Sequence, residues 1–361
     1  MNLVKFKNVL IYLSIIVCFS CNASNVFEGK HIFIEQFPLI IFPEAEKIDI
    51  DIPGIVDFAI VDTVLLALII PDPEILLQAY SLNNYNLIGT LIKKGQGPNE
   101  FLQASIPIQF NEDSTGCNAW MLDFSLNSFY LLKITNTIEQ QRTVVEKKYN
   151  LKKLGFALNF VYVNDTLIWG TNWTLDNLEL FAYNTQKELV INQTKLFKTI
   201  RYTSSNLISA FSHGVAVKPD LTKIVINMLY FNQLHIISLN NIDDRFSFST
   251  SKNPGNFEQI IKLIKSDRHD ELIAYYRDIR TTNNLIFACN NTYQLKDVDN
   301  ASKTIIHVFD WDGNPIALIE LPHYASYFAI DEKRGFLYGL SDDEFYEKEI
   351  LYKYDIKSLT P

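Results

Sequence analysis

Six histidines are the residues most able to do acid–base or metal chemistry: His31, His213, His235, His269, His307 and His323. A metal site built on histidine needs ligands at short, fixed spacing, and no two of these form a close pair. His235 and His307 lie within runs of strand-forming residues and read as structural or surface groups. His213 precedes a strand that would face a central channel, so it is the histidine to test. There is no GxSxG elbow, no HExxH helix and no convincing catalytic dyad. No catalytic residue, metal ligand or cofactor is assigned.

Other segments imitate sites. Asp310-Trp311-Asp312-Gly313-Asn314 opens like a calcium loop, but the twelfth position, where such a loop needs a bidentate Glu, is Leu321. A hairpin turn on Asp-Gly accounts for it. The runs Ser341–Glu349 and Ser266–Glu271 are dense in charge and could attract a cation or a basic partner; solvated loops have the same composition. Gly95-Gln96-Gly97-Pro98-Asn99-Glu100-Phe101 could cradle phosphate. It lacks the Lys-Ser/Thr of a phosphate loop and no helix follows, so Gly95, Gly97, Pro98, Asn99, Glu100 and Phe101 read as a structural loop whose glycines permit sharp reversals.

The four cysteines are Cys18, Cys21, Cys117 and Cys289, and their spacing fits no zinc pattern. Cys117 and Cys289 read as two buried thiols, able to bridge only if the fold joins them. Cys18 and Cys21 sit at the end of an export signal: Lys5 and Lys7, then the uncharged run Val9–Phe19, then Ser20. The run is too short to span a bilayer. A small residue before a cysteine resembles the lipobox of bacterial lipoproteins, with Cys18 where Leu is usual, which implies a diacylglycerol on Cys21. Cleavage after Ala23, releasing a soluble periplasmic protein, is the alternative. Asn22–Lys30 is polar and reads as a tether. Without an acidic cluster after the cysteine, periplasmic and surface-facing placements both stay open.

These candidates must be positioned by a fold, and composition bounds it. The chain has 361 residues, 48% hydrophobic and 13% aromatic, with 25 Phe and 18 Tyr, enough for a large all-β core. A net charge of −9 with no basic stripe argues against a nucleic-acid partner. The decisive signal is a repeated unit: an apolar strand, a polar turn, a second apolar strand, and a third ending in an aromatic and a polar residue. Units start near residues 58, 108, 160, 215, 278 and 327, a period of about 50 that suits four-stranded propeller blades. Phe257–Lys265 has helical spacing and predicts a short helix capping the ring. The last unit leaves no room for an outer strand, while Lys47–Ile52 alternates ahead of the first. The expectation is therefore all-β: a six-bladed β-propeller of four-stranded antiparallel blades, closed by this N-terminal strand. Residues 1–20 form the signal, 21–45 the tether and lead-in, and 46–361 the propeller.

The segment Leu91–Phe101, with Gly95, Gly97, Pro98, Glu100 and Phe101, resembles the GxGPGEF signature of the TolB-like six-bladed propeller lipoproteins of Bacteroidota. It occupies the family's position between the first and second blades. Asn99 replaces a glycine; Asn tolerates the left-handed region, so the turn should survive. NHL and other propellers share the blades alone. The absence of catalytic spacing in a well-formed repeat array points to a non-catalytic binding or scaffold module, monomeric and, on the lipobox, lipid-anchored in the envelope, with an unknown protein, peptide or glycan partner. The alternative is a metal-dependent lactonase or lyase with its site at the channel. A third reading, a subunit beside an outer-membrane uptake system, rests on analogy.

Overall fold

The computed structural model describes residues 27–359 except 49, 51, 53, 71, 156, 175–176, 199–208 and 344–347. The export signal, Cys18 and Cys21 lie outside these residues, as does the centre of the acidic run Ser341–Glu349.

Three short strands precede the ring: β1 (Lys30–Phe33), β2 (Ile40–Ile41) and β3 (Ala45–Ile48). Six antiparallel blades follow. Blade one is β4 (Ile55–Val61), β5 (Val64–Ile69), β6 (Ile75–Ser81) and β7 (Leu87–Lys93). Blade two is β8 (Gln109–Asp113), β9 (Gly116–Asp123), β10 (Ser128–Lys133) and β11 (Val145–Asn150), with helix α1 (Ile134–Gln140) before β11. Blade three is β12 (Leu158–Asn164), β13 (Leu167–Trp173), β14 (Leu178–Asn184) and β15 (Leu189–Lys195). Blade four is β16 (His213–Val217), β17 (Lys223–Met228), β18 (Leu234–Ser238) and β19 (Arg245–Ser249), followed by helix α2 (Phe257–Lys265). Blade five is β20 (Ile273–Thr281), β21 (Leu285–Gln294), β22 (Thr304–Asp310) and β23 (Pro315–Leu321). Blade six is β24 (Tyr327–Asp331), β25 (Phe336–Asp343) and β26 (Lys348–Asp355).

Blade six is completed by β3, which pairs antiparallel with β26 through Ile48↔Leu351 and Ala45↔Tyr354. The closing strand falls slightly earlier than the run Lys47–Ile52, although Ile48 and Ile52 are both buried as that alternation requires. The preceding segment is not a free lead-in. From Phe27 onward it is docked: Phe27 is buried with its ring 4.6 Å from Phe197 and 5.2 Å from Phe231. β1 then adds a parallel fifth strand to β19, and β2 does the same on β23. The tether read over residues 22–30 is therefore shortened at its far end.

Helix α2 forms where its spacing predicts. Asn256 accepts a bond from the Gln259 amide at 3.2 Å, and Phe257, Ile260, Ile261 and Ile264 face inward. Helix α1 was not expected; its residues follow β10 directly, and it ends at Gln141 in the left-handed region. The Asp-Gly hairpin is confirmed as a turn. Asp310 spends its carboxylate on the Asp312 amide at 2.9 Å, the Asn314 amide at 2.8 Å and the Asn314 side chain at 2.7 Å. Cys117 is half-buried and Cys289 buried, and both are free thiols.

The Gly95–Phe101 loop joins blades one and two by a device other than sharp glycine reversals. The Glu100 carboxylate folds back to accept the Gly97 amide at 2.7 Å. A Cβ on Gly95 would stand 2.0 Å from that carboxylate oxygen, and one on Gly97 2.8 Å. The two glycines leave open the space that the glutamate fills. Asn99 adopts φ 63°, the left-handed conformation expected of it. Phe101 is fully buried with its ring 4.4 Å from Tyr130, which pins blade one to blade two. Gly95→Ala should cost about 0.5–1.5 kcal/mol by displacing the carboxylate from the solvent-exposed Gly97 amide. Because Glu100→Ala already removes the same bond, the double variant should be hardly less stable than either single one; denaturant midpoints that simply add would refute this account.

Candidate functional site

The inner strands β4, β8, β12, β16, β20 and β24 surround the channel, and regular strands would present alternate residues to it. Three of them are irregular. On β4, Ile55 pairs with Ile69 but Asp57 with Leu68, so one residue is extra. On β12, Leu158 pairs with Thr171 and Val161 with Trp169, again one residue in excess, and Asn159 lies there at φ 50°. On β20, Tyr276 pairs with Asn290 and Asp278 with Cys289, leaving Arg277 as the extra residue. Bulges re-aim side chains, and these three, on blades one, three and five, converge on one cavity of about 230 Å³.

Arg280 lies at its heart. Its guanidinium donates to Asp57 Oδ1 at 3.0 Å and to Asp278 Oδ1, and lies 5.7 Å from the Phe328 ring centre. Backbone amides supply more donors: Phe58 to Asp57 at 2.7 Å and Ile279 to Asp278 at 2.8 Å. Side-chain exposure is 18% for Asp57 and Arg280 and 11% for Asp278. Burial pushes the Asp57 carboxyl up to about 7, against the pull of Arg280, and it raises Asp278 too. Two carboxylates thus share one guanidinium.

Arg277 has a different situation. It is exposed at the cavity mouth, donates to the Tyr324 hydroxyl, and lies 5.5 Å from the centre of the Tyr327 ring. Among the described residues no carboxylate is paired with it at ion-pair distance, although its charge also acts on Asp57 and Asp278. Asn227, only 2% exposed, donates its Nδ2 to the Tyr276 carbonyl at 2.7 Å. Its Oδ1 has no partner among the described residues and sits 2.6 Å from where a Cβ of Gly214 would stand. Trp120, Phe129, Phe160 and Tyr327 supply apolar wall.

His213 does not line this cavity; it stands behind it. The Phe211 carbonyl lies 2.9 Å from Nδ1, which must therefore donate, leaving Nε2 to accept from Asn159 Nδ2 at 3.1 Å and to meet Thr171 Oγ1 at 2.9 Å. Burial lowers its pKa to about 4, so it is neutral and holds Asn159 in place. His235 and His307 are structural, both buried and held down to about 3 by desolvation. Among the described residues no group of three or more His, Cys, Asp or Glu could hold a metal ion. At the opposite mouth, a wider cavity of about 500 Å³ carries Asp62 and Glu112, both engaged by Lys333 at 3.3 and 2.9 Å.

Asp57, Asn159, Asn227, Arg277, Asp278 and Arg280 escaped sequence reasoning because they come from different blades. One signal was available: Arg277-Asp278-Ile279-Arg280 places charge on a strand that should be apolar.

Arg280→Met should destabilise by about 3–5 kcal/mol by stranding two buried carboxylates. Asp57→Asn should be milder and should alter the pH dependence. The folded-state pKa of Asp57 lies above its unfolded value, so the stability linked to its proton is full below about pH 4 and is lost as the pH rises through about 7. The buried histidines act in the opposite sense in both proteins. Melting temperatures from pH 5 to 8 should therefore show wild type losing ground to Asp57→Asn as pH rises; parallel curves would exclude the coupling.

The description of the TolB-like 6-blade propeller-like family matches residues 61–333. No curated protein matches the chain. Among solved structures, a member of the DUF4221 family from Bacteroides vulgatus superposes with a TM-score of 0.53 at 12% identity, over 86% of this chain and 98% of that one. A protein from Bacteroides fragilis, described as exported, gives a TM-score of 0.46 at 14% identity over 94% of this chain and 97% of that one. The six four-stranded blades and the match, which runs from the first inner strand into the last blade, lead to one conclusion: the chain belongs to the TolB-like six-bladed propeller family.

Proposed function

We propose that the protein is a non-catalytic binding propeller of the bacterial envelope, lipid-anchored through Cys21, which holds its ligand at the channel mouth beside Arg277. The observation that carries this reading is the convergence of three strand irregularities on one cavity. Bulges and left-handed non-glycine residues cost folding free energy and concentrate where side chains are aimed at a ligand. The groups best suited to proton transfer are already engaged: His213 is neutral and fully bonded, and Asp57 and Asp278 share Arg280. A ligand placed here meets a guanidinium with no ion-pair partner among the described residues, together with amide oxygens, which suits recognition.

The anchor rests on the sequence: Lys5 and Lys7, the apolar run Val9–Phe19, and Ser20 before Cys21. Among the described residues no helix is long and apolar enough to cross a membrane. The rival metal-dependent lactonase or lyase would use the oxygens of Asp57, Asp278, Asn159 and Asn227. Arg280 stands between the two carboxylates, so a cation would have to displace a guanidinium. Stoichiometric metal in protein purified without chelator would favour the rival.

Two measurements test the proposal. Cys21→Ala should move the protein from the membrane to the soluble fraction; unchanged fractionation would refute the anchor. Hydrogen exchange with bound ligand should show added protection at Asp57, Asn159 and Tyr276–Arg280. Protection confined to the outer strands, or turnover of the ligand, would overturn the reading.

A further inference from the structure

The unspent groups of the cavity define what it can hold. Arg277 is a cation with no carboxylate paired at ion-pair distance among the described residues, turned out of register by its bulge. Two amide oxygens complement it. Asn227 Oδ1 is a buried acceptor, and its orientation is fixed because Nδ2 already serves the Tyr276 carbonyl. Asn159 spends its Nδ2 on His213 and Thr171, which leaves its Oδ1 as an acceptor. That set is one planar cation and two acceptors beside aromatic wall. A ligand must present an anion to the first and N–H or O–H donors to the others.

We infer that the channel mouth binds a small organic acid whose carboxylate pairs with Arg277 and whose neighbouring hydroxyl or ammonium group donates to Asn227 and Asn159. This rests on the binding role proposed above. Arg280 contributes little to holding the acid, since Asp57 and Asp278 already engage it. It offsets part of the charge of the two buried carboxylates and so lessens their repulsion of an incoming anion. The guanidinium of Arg277 also lies 5.5 Å from the centre of the Tyr327 ring, a cation–π contact that helps to place it. A phosphate monoester, mostly dianionic at neutral pH, would lack donors for the two amide oxygens. A neutral sugar would leave Arg277 without a counter-charge.

Calorimetric titration of the mature protein tests this with matched pairs. Galacturonate against galactose probes the hydroxy-acid source, and phenylalanine against phenylalaninamide probes the amino-acid source. In one of the two pairs the acid should bind at least about tenfold more tightly than its carboxylate-free partner, the loss expected for a charge-assisted contact. Arg277→Gln should abolish that preference, and Arg277→Lys should restore part of it. Arg277 is exposed, so its replacement should leave the ligand-free melting temperature within a few degrees. If galactose or phenylalaninamide binds as tightly as its acid, or the acid is held equally by Arg277→Gln, the ligand class is wrong while the binding role stands. If neither these compounds nor a fragment set of mixed charge binds at the cavity, the binding role fails with it.

Discussion

Closure of the ring is the constraint on which the rest depends. A sheet whose edge is unpaired leaves a row of backbone donors and acceptors exposed. Blade six has three strands of its own, and β3 supplies the fourth from the other end of the sequence. Once that joint is made, the six inner strands are held around a common axis, and their spacing no longer depends on any single loop. Side chains from blades separated by long stretches of sequence can then meet at fixed distances. Arg280, reaching Asp57 across from blade five to blade one, is the clearest instance.

Within that frame, the cavity divides its charges by depth. Arg280 and its two carboxylates are largely buried and satisfied, and they tie inner strands to one another as much as they line the channel. Arg277, three residues earlier, lies at the mouth and keeps its charge available. The difference comes from one extra residue on β20, which changes the face presented before and after it. A regular strand would have put Arg277 and Arg280 on opposite faces.

Much of this architecture was legible because strands declare themselves by local pattern. The unit starts near 58, 108, 160, 215, 278 and 327 all fall within or next to inner strands, and α2 forms over Phe257–Lys265. The Gly95–Phe101 loop was recognisable as structure, but its reason was not. Nothing in the sequence says that Glu100 returns to fill the space over two glycines. The docking of β1 and β2 was hidden for a similar reason: four and two residues are too few to show alternation, and their partners lie more than two hundred residues away. The cavity was the least legible part. Bulges leave no periodic trace, and Asn159 acquires its role only when blade four brings His213 behind it.

The path of the N-terminal segment has a mechanical consequence. β1, β2 and β3 stand in series along the chain, each on a different blade, before the first inner strand begins. A pull transmitted from upstream must peel Phe27 and β1 from blade four, and then β2 from blade five, before it can reach the strand that seals blade six. β1 and β2 are fifth strands, added outside the four strands that make up blades four and five. Five residues separate Cys21 from Phe27, a span on the order of 20 Å when taut. A lipid on that cysteine would hold the ring against the bilayer by its rim, with Phe27 and β1 the first attachments to meet the load.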